Sequence, residues 1–441
     1  MMLRRICVLV FLLAGESAWA QEPFNLSAQV NELATLLTEL YGPDGLVVDS
    51  QATLPGEQSH SAHFTSHFQS NFGQFATALV NQLVSAPKPS PASGFTFEFD
   101  PTVGVFHRST QSFGPILTER AETIGANHIA FGAAYQRFTF DTIDGLDLQK
   151  VPAVFEHDNA HLLGGRQDVV TTTNSIEARV NQFTSFLTLG VTDSFDVSVA
   201  VPIISNEMKV ISKATIQRLG TTDPLTHFFV LPNGEIGNER TFTAAGSSSG
   251  LGDVTVRMKN TVLRRHGNLA LALDVRIPTG NEMDLLGSGA AGLRPFAIWS
   301  SKFGQLSPHV NVGYQWNGSS VLAGSPATGE SADFPDDITY AAGADISVNS
   351  HLTIAFDLLG RYVMNANRLV RQDFHALNGT SVFPNIVFEK DSFASSRGAA
   401  GIKASFLNNF LLDLNLLFAL DDRGLVDRLT PLIGIEYSFS K

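Results

Sequence analysis

Three short motifs carry residue types that enzymes use, but none lies in the local structure that the chemistry requires. GSGAAG at 287–292 has the glycine spacing of a dinucleotide-binding turn, yet Pro295 follows closely and no strand-turn-helix pattern surrounds it. GSSSG at 246–250 has the spacing of a nucleophile elbow, but it leads into a strand instead of a helix. His157 and His161 have metal-compatible spacing in a glycine-containing loop. We therefore predict no catalytic residue, no metal, no cofactor and no enzyme activity.

A larger set of polar residues has a different kind of order, because its members alternate with apolar residues along predicted strands. If those strands close into a barrel, the set would line the lumen and determine selectivity through charge and hydrogen bonding. The same residues could instead form mutually neutralising pairs that fill a narrow barrel, and both interpretations stay open. The candidate lumen-lining residues are Glu177, Arg179, Asn181, Asp253, Arg257, Lys259, Asp274, Arg276, His309, Asn311, Gln315, Asp357, Arg361, Asp413, Asn415 and Glu436.

Period-two alternation is the evidence for the strands themselves. In the stretch 250–280, Val254, Val256, Leu271 and Leu273 fall on one face of a hairpin, while charged or small residues fall on the other. We expect the apolar face of this hairpin to contact lipid. The candidate strands lie at about 127–141, 174–189, 193–204, 251–264, 268–278, 293–303, 307–317, 337–348, 351–364, 393–406, 410–421 and 427–439.

The connections between these strands alternate between short turns and long polar loops. Short turns fall near 190–192, 265–267, 303–306, 349–350 and 407–409, and longer connections separate them. Outer-membrane barrels have this asymmetry, with short periplasmic turns and long extracellular loops, whereas a secreted β-sandwich has no reason to show it. The sequence therefore predicts an all-β transmembrane barrel of about 12 antiparallel strands, with 14 as the alternative, in the cell outer membrane.

The chain before the barrel divides into three parts. Residues 1–20 have the charged, apolar and A-x-A regions of a cleaved signal peptide. Residues 21–94 read as a small α-helical region, either periplasmic or acting as a plug, with apolar residues spaced by threes and fours and a Pro/Ser/Gly linker at its end. Residues 95–126 are either an extended plug segment or a first strand, and we assign 127–441 to the barrel.

Composition limits the partners and the way in which the chain crosses a membrane. The formal net charge of −13 argues against a nucleic-acid partner. After the signal, no run of about 18 apolar residues occurs, so we expect no transmembrane helix. The single cysteine, Cys7, lies within the signal and excludes a disulfide framework in the mature chain. We expect the partners to be outer-membrane lipid, the barrel-assembly machinery and a small-molecule solute.

Several segments resemble a known family. They are GLGDVTVRMKNTVLRR at 250–265, ALALDVRIPTGNEMDLLGSG at 270–289, SPHVNVGYQW at 307–316 and the preceding strand pair TSFLTLGVTDSFDVSVAVPII at 184–204. Over roughly residues 170–320 they look like the outer-membrane family grouped under the meta-pathway of phenol degradation. More distantly, the architecture is similar to that of the fatty-acid and aromatic-hydrocarbon outer-membrane channels. The plug motif of those channels is absent, so their lateral-exit mechanism is not carried over.

The resemblance implies an outer-membrane channel for passive uptake or export of small, hydrophobic or aromatic compounds, and it transfers no binding residue. The alternative is a closed barrel that acts as a structural or surface-binding outer-membrane protein. A third interpretation is a secreted soluble β-protein, which detergent-free solubility of the mature chain would favour.

Overall fold

The computed structural model describes residues 32–37, 39–42, 45–51, 64–65, 94–100, 105–108, 112–158, 160–162, 164–265, 267–326, 328–406 and 409–440. Strands dominate these residues, and the helical segments among them are short 3-10 turns. Within this part of the chain, no helix is long and apolar enough to cross a membrane. The 3-10 turns lie at Leu33–Thr35, Leu148–Lys150, Ala160–Leu162 and Gly164–Gln167.

Twelve antiparallel strands form one closed barrel in which each strand pairs with its neighbours in the sequence. The first and last strands complete the closure through pairs such as Tyr135 with Ile433 and Phe131 with Tyr437. The prediction of a barrel of twelve strands is therefore confirmed, and the alternative of 14 is not needed. The strands are β1 His128–Thr139, β2 Val169–Thr192, β3 Phe195–Gln217, β4 Val254–Arg265, β5 Gly267–Ile277, β6 Gly292–Ser300, β7 Leu306–Asn317, β8 Asp337–Asn349, β9 Leu352–Arg371, β10 Ile386–Phe406, β11 Phe410–Ala419 and β12 Leu429–Ser440.

Four strands extend far beyond the others at the end of the barrel that carries the long loops. β2 has 24 residues, β3 has 23, β9 has 20 and β10 has 21, whereas a bilayer needs about 9–11 residues per strand. Two further strands widen this extension: Glu239–Leu251 pairs with β3, and Val151–His157 pairs with β2. These four barrel strands are longer than the sequence predicted.

The polarity of the interior face reverses along β2 and β3. Near the short turns, β2 turns Gln182, Thr184 and Thr188 inward, while Phe183 and Leu187 point outward and are exposed. Above the level at which Gln182 pairs with Ile204, the pattern is the opposite, with buried apolar side chains inside and polar side chains outside. The environment outside the strands changes from lipid to water at that level. Apolar residues therefore face outward below it and inward above it, and the alternation along each strand continues without a break. The buried apolar side chains above this level include Ile176, Ala178, Met208 and Val210.

An apolar outer surface surrounds the lower part of the barrel. Exposed side chains on it include Leu271, Val312, Phe356 and Ile433, and Val254, Val256 and Leu273 share the outward phase of the hairpin β4–β5. Tyrosine, tryptophan and phenylalanine side chains lie towards both ends of this surface, as is typical of interfacial residues. A closed barrel with such a surface is an outer-membrane protein. Its exposed aromatic residues include Tyr135, Trp299, Phe303, Tyr314, Trp316, Tyr340, Tyr362, Phe406 and Phe439.

The prediction of an α-helical region at 21–94 is not supported by the residues that the structure describes. Around Leu33 and Leu40 the chain forms one 3-10 turn, Leu33–Thr35, followed by irregular turns. Leu33, Leu36 and Leu37 pack into the barrel extension instead of against a second helix, so tertiary burial decides their conformation. A second predicted amphipathic stretch, from Phe64 to Leu83, begins in the short strand Phe64–Thr65, and its residues after Thr65 lie outside the described residues.

Short strands cover the remaining described chain. They lie at Phe64–Thr65, Phe97–Asp100, Val105–Arg108, Thr142–Ile143, Leu146–Asp147, Phe229–Val230, Ile236–Gly237, Ser319–Ser325, Glu330–Asp333, Phe374–His375, Val382–Phe383 and Leu425–Val426. Except for the first of these, which pairs with Val151–His157, they form small separate sheets at loops or next to the N-terminal chain.

Candidate functional site in the barrel interior

Residues 112–126, which we call the inner segment, lie inside the barrel near the end with the short turns. Asp357 on β9 holds this segment: the backbone N–H groups of Ile116, Leu117 and Thr118 donate to its Oδ2 at 3.1, 2.8 and 3.2 Å. The Thr118 hydroxyl donates to Oδ1 at 3.0 Å. Three successive N–H groups converge on one carboxylate, so the negative charge on the wall is met by the backbone of the segment.

His309 on β7 joins this anchor to the neighbouring strand. Its Nε2 lies 2.8 Å from Asp357 Oδ1 and its Nδ1 lies 3.5 Å from Asp345 Oδ1. Asp345 on β8 also accepts a hydrogen bond from the Ser112 hydroxyl at the start of the inner segment. The imidazole is buried between two carboxylates, which makes β7, β8 and β9 one continuous support for the segment.

The opposite wall contacts the middle of the inner segment through an ionic network. The Arg257 guanidinium on β4 pairs with Glu119 of the segment and donates to Asp274 on β5 at 2.7 and 2.9 Å. Arg294 on β6 donates to the same Asp274 at 2.5 Å. Asn311 on β7 accepts from the Glu119 N–H at 2.7 Å and donates to the Glu119 carbonyl at 2.9 Å. The wall thus contacts both the carboxylate and the backbone of Glu119.

Lys259 on β4 is a fully buried cation that serves the backbone of the inner segment. Its Nζ donates to the carbonyls of Arg120 at 3.2 Å and Glu122 at 2.8 Å, and it lies 3.6 Å from Glu119 Oε2 and 4.0 Å from Asp196 Oδ2. An ammonium group that is removed from water needs such partners, because an isolated buried charge is costly. The buried Lys259 ammonium therefore depends on the carbonyls of the inner segment for its stabilisation, and the segment depends on Lys259 for its position.

The inner segment leaves the barrel across the turn between β2 and β3. The Ile124 N–H donates to Asp196 Oδ2 at 3.0 Å, and the Gly125 carbonyl then passes directly over Gly190. A Cβ at Gly190 would lie 1.8 Å from that oxygen. Only glycine leaves room for this crossing, after which β1 begins.

A third group of interior charges lies on β10, β11 and β12. Lys403 Nζ lies 4.0 Å from Asp413 Oδ1, and Glu436 lies against Gly94 and receives a hydrogen bond from the backbone of Phe95. Asn415 faces the interior beside Gly401. These side chains extend the polar wall to the N-terminal chain at 94–96.

Asp253 and Arg276 bind a loop that folds inward above the inner segment, and Gln315 and Arg361 pair with other wall residues. Asp253 accepts from the Ser288 N–H at 2.8 Å and from the Ser288 hydroxyl at 2.6 Å. Arg276 donates to the Ala290 carbonyl at 3.3 Å and to Asn317 Oδ1 at 2.9 Å. This loop contains the GSGAAG motif, whose glycines serve close packing in the loop. Gln315 donates to Asn317 Oδ1 at 3.1 Å, and Arg361 donates to Asp337 at 3.2 Å.

Three of the sixteen candidate lumen residues lie on the outer face instead, and this corrects their predicted orientation. Arg179 lies 3.5 Å from Glu177 with side chains 44% and 43% exposed, and Asn181 accepts a hydrogen bond from the outward-facing Tyr135 at 2.8 Å. They lie above the level at which polarity reverses, where the polar face meets water and the interior is apolar. The other thirteen lie on the interior face.

Sequence reasoning missed interior residues that follow the same rule. Asp196, Asp345 and Lys403 occupy the polar phase of predicted strands, so the alternation would have identified them. The contacts made by the backbone of 116–124 carry no such signal, because any residue type can provide them. The paired histidines are also separated: His157 packs against Phe64 and His227, and His161 is exposed. Among the described residues, no cluster of three or more His, Cys, Asp or Glu could hold a metal.

Above the inner segment, the barrel extension encloses a second, apolar compartment, which we call the upper chamber. Its wall consists of the inward faces of β2 and β3 above Gln182 and Ile204, with Phe155 and Phe242 from the two added strands. The described residues at 32–37, 39–42 and 45–51 fill it with buried leucine side chains and Tyr41. The interior is thus a polar lower half and an apolar upper half, each occupied by a part of the chain that precedes β1.

Comparison with known proteins adds a sequence match and distant structural similarities. The sequence profile described as "Putative MetA-pathway of phenol degradation" matches residues 164–424, which is more than half of the chain. No curated protein matches the sequence.

Among solved structures, an outer membrane channel from Pseudomonas putida is 12% identical with a TM-score of 0.41, over 73% of this chain and 99% of that one. A Pseudomonas aeruginosa FadL homologue is 10% identical with a TM-score of 0.30, over 71% and 89% of the two chains. The CymD monoaromatic hydrocarbon channel is 8% identical with a TM-score of 0.33, over 72% and 89%.

Proposed function

The chain belongs to the family described as "Putative MetA-pathway of phenol degradation", and from that membership and its interior we propose that it is an outer-membrane channel. Its solutes would be small hydrophobic or aromatic compounds that cross passively. The thirteen interior candidates would then control passage through the polar lower half, and the upper chamber would receive the apolar part of the solute. The chain acts through binding and passage in this proposal, and no cofactor takes part.

The observation that carries the proposal is how the lower half is filled. The wall holds a separate strip of chain, the inner segment, inside the lower half, largely through hydrogen bonds to Asp357, Asn311 and Lys259. Water can replace such bonds at a net cost of about 0.5–1.5 kcal/mol each, and somewhat more for those to charged groups. A segment held in this way can shift or leave while the barrel remains closed.

The remaining features of the chain fit this location. We propose that residues 1–20 direct export, that 21–94 and 95–126 contribute the parts that occupy the barrel, and that 127–441 form the wall. The outer apolar surface would contact outer-membrane lipid. The last strand carries the exposed Phe439 beside Tyr437, one residue before its final residue Ser440, and this aromatic pair would be the feature that the barrel-assembly machinery recognises.

Single-channel conductance in planar bilayers tests the proposal with three purified proteins. The wild-type barrel should conduct weakly or intermittently, because the inner segment occupies the lumen. Asp357→Ala, which removes the acceptor for three backbone N–H groups, should conduct more. Asp333→Ala, which changes an exposed loop carboxylate, serves as the matched control and should behave like the wild type. Absence of conductance in all three folded barrels would refute a channel.

A second candidate function is a closed barrel that binds a partner at the cell surface. Both halves of the described interior are occupied, and the long strands project a wide extension above the membrane. Under this alternative, Asp357→Ala would leave the barrel non-conducting. The removal of loop residues 231–236, at the tip beyond β3, would then abolish adhesion or surface binding of cells that display the protein.

A further inference from the structure

Tyr41 occupies a polar spot in the otherwise largely apolar upper chamber. The phenol ring of Tyr41 makes edge-to-face contacts with Phe155 and Phe242, at centroid distances of 5.3 and 5.1 Å and interplanar angles of 85° and 77°. Edge-to-face pairs of this kind are favourable beyond the area that they bury. The ring is thus held between one phenylalanine from each of the two strands that widen the extension.

The hydroxyl of Tyr41 meets a prepared set of polar groups. It lies 2.8 Å from Ser212 Oγ and donates towards Asn174 Oδ1 at 3.4 Å, and Thr172 is a further hydrogen-bond partner. Ser212 and Asn174 are fully buried and Thr172 is nearly so. Buried polar side chains on an otherwise apolar face are costly unless they are paired, so their convergence on one phenolic oxygen defines a binding geometry.

The wall fixes Asn174 and Thr172 without help from Tyr41. The Asn174 amide donates to the Val151 carbonyl at 3.0 Å and to Thr172 Oγ1 at 3.0 Å, so both amide hydrogens are used and Oδ1 remains directed at the ring hydroxyl. Thr172 Oγ1 donates to the Ala153 carbonyl at 3.3 Å. Since these partners belong to β2 and the neighbouring strand Val151–His157, the side of the pocket that carries Asn174 and Thr172 keeps its shape when the occupant changes.

The described residues at 32–37, 39–42 and 45–51 are connected to the barrel by local contacts. The Ala34 N–H donates to the Met283 carbonyl at 2.9 Å, Asp49 forms a two-way backbone bridge with Phe228, and the Gln51 N–H donates to the Leu225 carbonyl at 3.0 Å. The other contacts that the structure describes are largely apolar packing of leucines in the upper chamber. An apolar molecule that enters the chamber can compete for the same surface.

We propose that the Tyr41 pocket is a binding site for a neutral phenol, and that the chain's own tyrosine side chain occupies it in the unliganded protein. The ligand ring would lie between Phe155 and Phe242, its hydroxyl would donate to Asn174 and accept from Ser212, and Tyr41 would withdraw. The inference rests on the proposed function, since it names the solute class that the channel takes up. Benzene would fill the aromatic part of the pocket and leave the polar groups without a partner.

Burial also determines which form of the ligand fits. It raises the pKa of Tyr41 to about 12, which means that the pocket stabilises the protonated hydroxyl over the phenolate. A free phenol would bind as the neutral molecule for the same reason.

The test compares phenol with benzene on purified barrels in detergent. Tyr41→Ala leaves a cavity of phenol size, and phenol should raise the thermal unfolding midpoint of this variant more than that of the wild type. Benzene should bind about tenfold more weakly than phenol, because one buried hydrogen-bonded group goes unpaired. Tyr41→Ala with Ser212→Ala should reduce that difference to about twofold. Equal binding of phenol and benzene to Tyr41→Ala would overturn the proposal.

Tyr41→Phe keeps the test decisive if the alanine variant fails to fold. This variant retains the packed ring and loses only the hydroxyl, so it competes less well for the pocket. Isothermal calorimetry should give tighter phenol binding to Tyr41→Phe than to the wild type, and again about tenfold preference over benzene. No preference would overturn the site. Planar-bilayer conductance of the same preparations separates the two proposals: phenol binding without conductance removes the channel and keeps the site, and conductance without phenol binding does the reverse.

Discussion

The Leu117 N–H donates to Asp357 Oδ2 at 2.8 Å, and this hydrogen bond connects the inner segment, which precedes the barrel in the sequence, to strand β9. The flanking N–H groups of Ile116 and Thr118 reach the same oxygen. One wall carboxylate therefore anchors three residues of the inner segment. Leu117 and Asp357 are 240 positions apart in the sequence. Local sequence patterns therefore could not predict this contact.

Asp357 should determine how much of the time the inner segment stays docked. Removing a charged acceptor costs about 1.5–3 kcal/mol, so Asp357→Ala should lower the docked-to-undocked ratio by about ten- to a hundredfold. Asp357→Asn keeps one oxygen and should give an intermediate value. Limited proteolysis within 112–126 measures the undocked fraction, and equal cleavage of all three proteins would contradict the anchor.

Lys259 should influence ion selectivity as well as docking. Lys259→Met removes a buried cation that donates to the Arg120 and Glu122 carbonyls and lies near Asp196. The lumen becomes more negative, so the open variant should prefer cations over anions by more than the wild type does. Reversal potentials in a salt gradient measure the change. Lys390→Met, on an exposed part of β10, should leave the reversal potential unchanged.

The polarity reversal predicts opposite tolerance of the same substitution on two outward positions. Leu271 lies in the middle of β5 and is 53% exposed on the apolar surface, so Leu271→Arg should destabilise the lipid-embedded barrel by about 2–4 kcal/mol. Ser205 points outward on β3 just above the reversal, and Ser205→Arg should be close to neutral. Urea titration of barrels folded into liposomes compares the two, and similar losses would contradict the membrane boundary.

Asp144 should hold the loops on the long-loop side together. It adopts a left-handed conformation with φ of 48°, receives Arg368 Nη2 at 2.7 Å and accepts from the Leu369 N–H at 2.9 Å and the Gly424 N–H at 3.0 Å. Asp144→Ala removes these acceptors and disfavours the backbone, so protease sensitivity of 420–428 should rise. Asp144→Asn keeps an acceptor and tolerates the conformation. It should therefore resist cleavage almost as well as the wild type.

Phenol binding should weaken at alkaline pH because the free phenol loses its proton. A free phenol loses its proton near pH 10, whereas the pKa of Tyr41 is raised to about 12. Between these pH values the free phenol is charged while Tyr41 remains neutral and continues to occupy the pocket. The affinity for phenol should therefore fall about tenfold per pH unit above about pH 10. Calorimetry of the wild type from pH 7 to 11 measures this. Constant affinity across that range would contradict a pocket for the neutral form.

Alternation predicted the twelve strands because, within the membrane, successive residues of each strand face lipid on the outside and polar groups on the inside in turn. The same rule failed for Glu177 and Arg179, since they lie beyond the bilayer, where Ile176 and Ala178 form an apolar interior. Strand lengths were underestimated on β2, β3, β9 and β10 for the same reason. The content of the lumen could not be predicted, because hydrogen bonds from the Leu117 backbone depend on position and not on residue type.

The position of the inner segment has a consequence for the order of assembly. Its partners Asp196, Lys259, Asn311 and Asp357 belong to β3, β4, β7 and β9, all of which are synthesised after it. Residues 112–126 are continuous with β1, which pairs with β12 to close the barrel. The segment therefore exists without its partners until most of the wall has been synthesised, and its docked form can appear only when β9, which carries Asp357, is in place. The content of the lumen thus depends on how far the wall has been built.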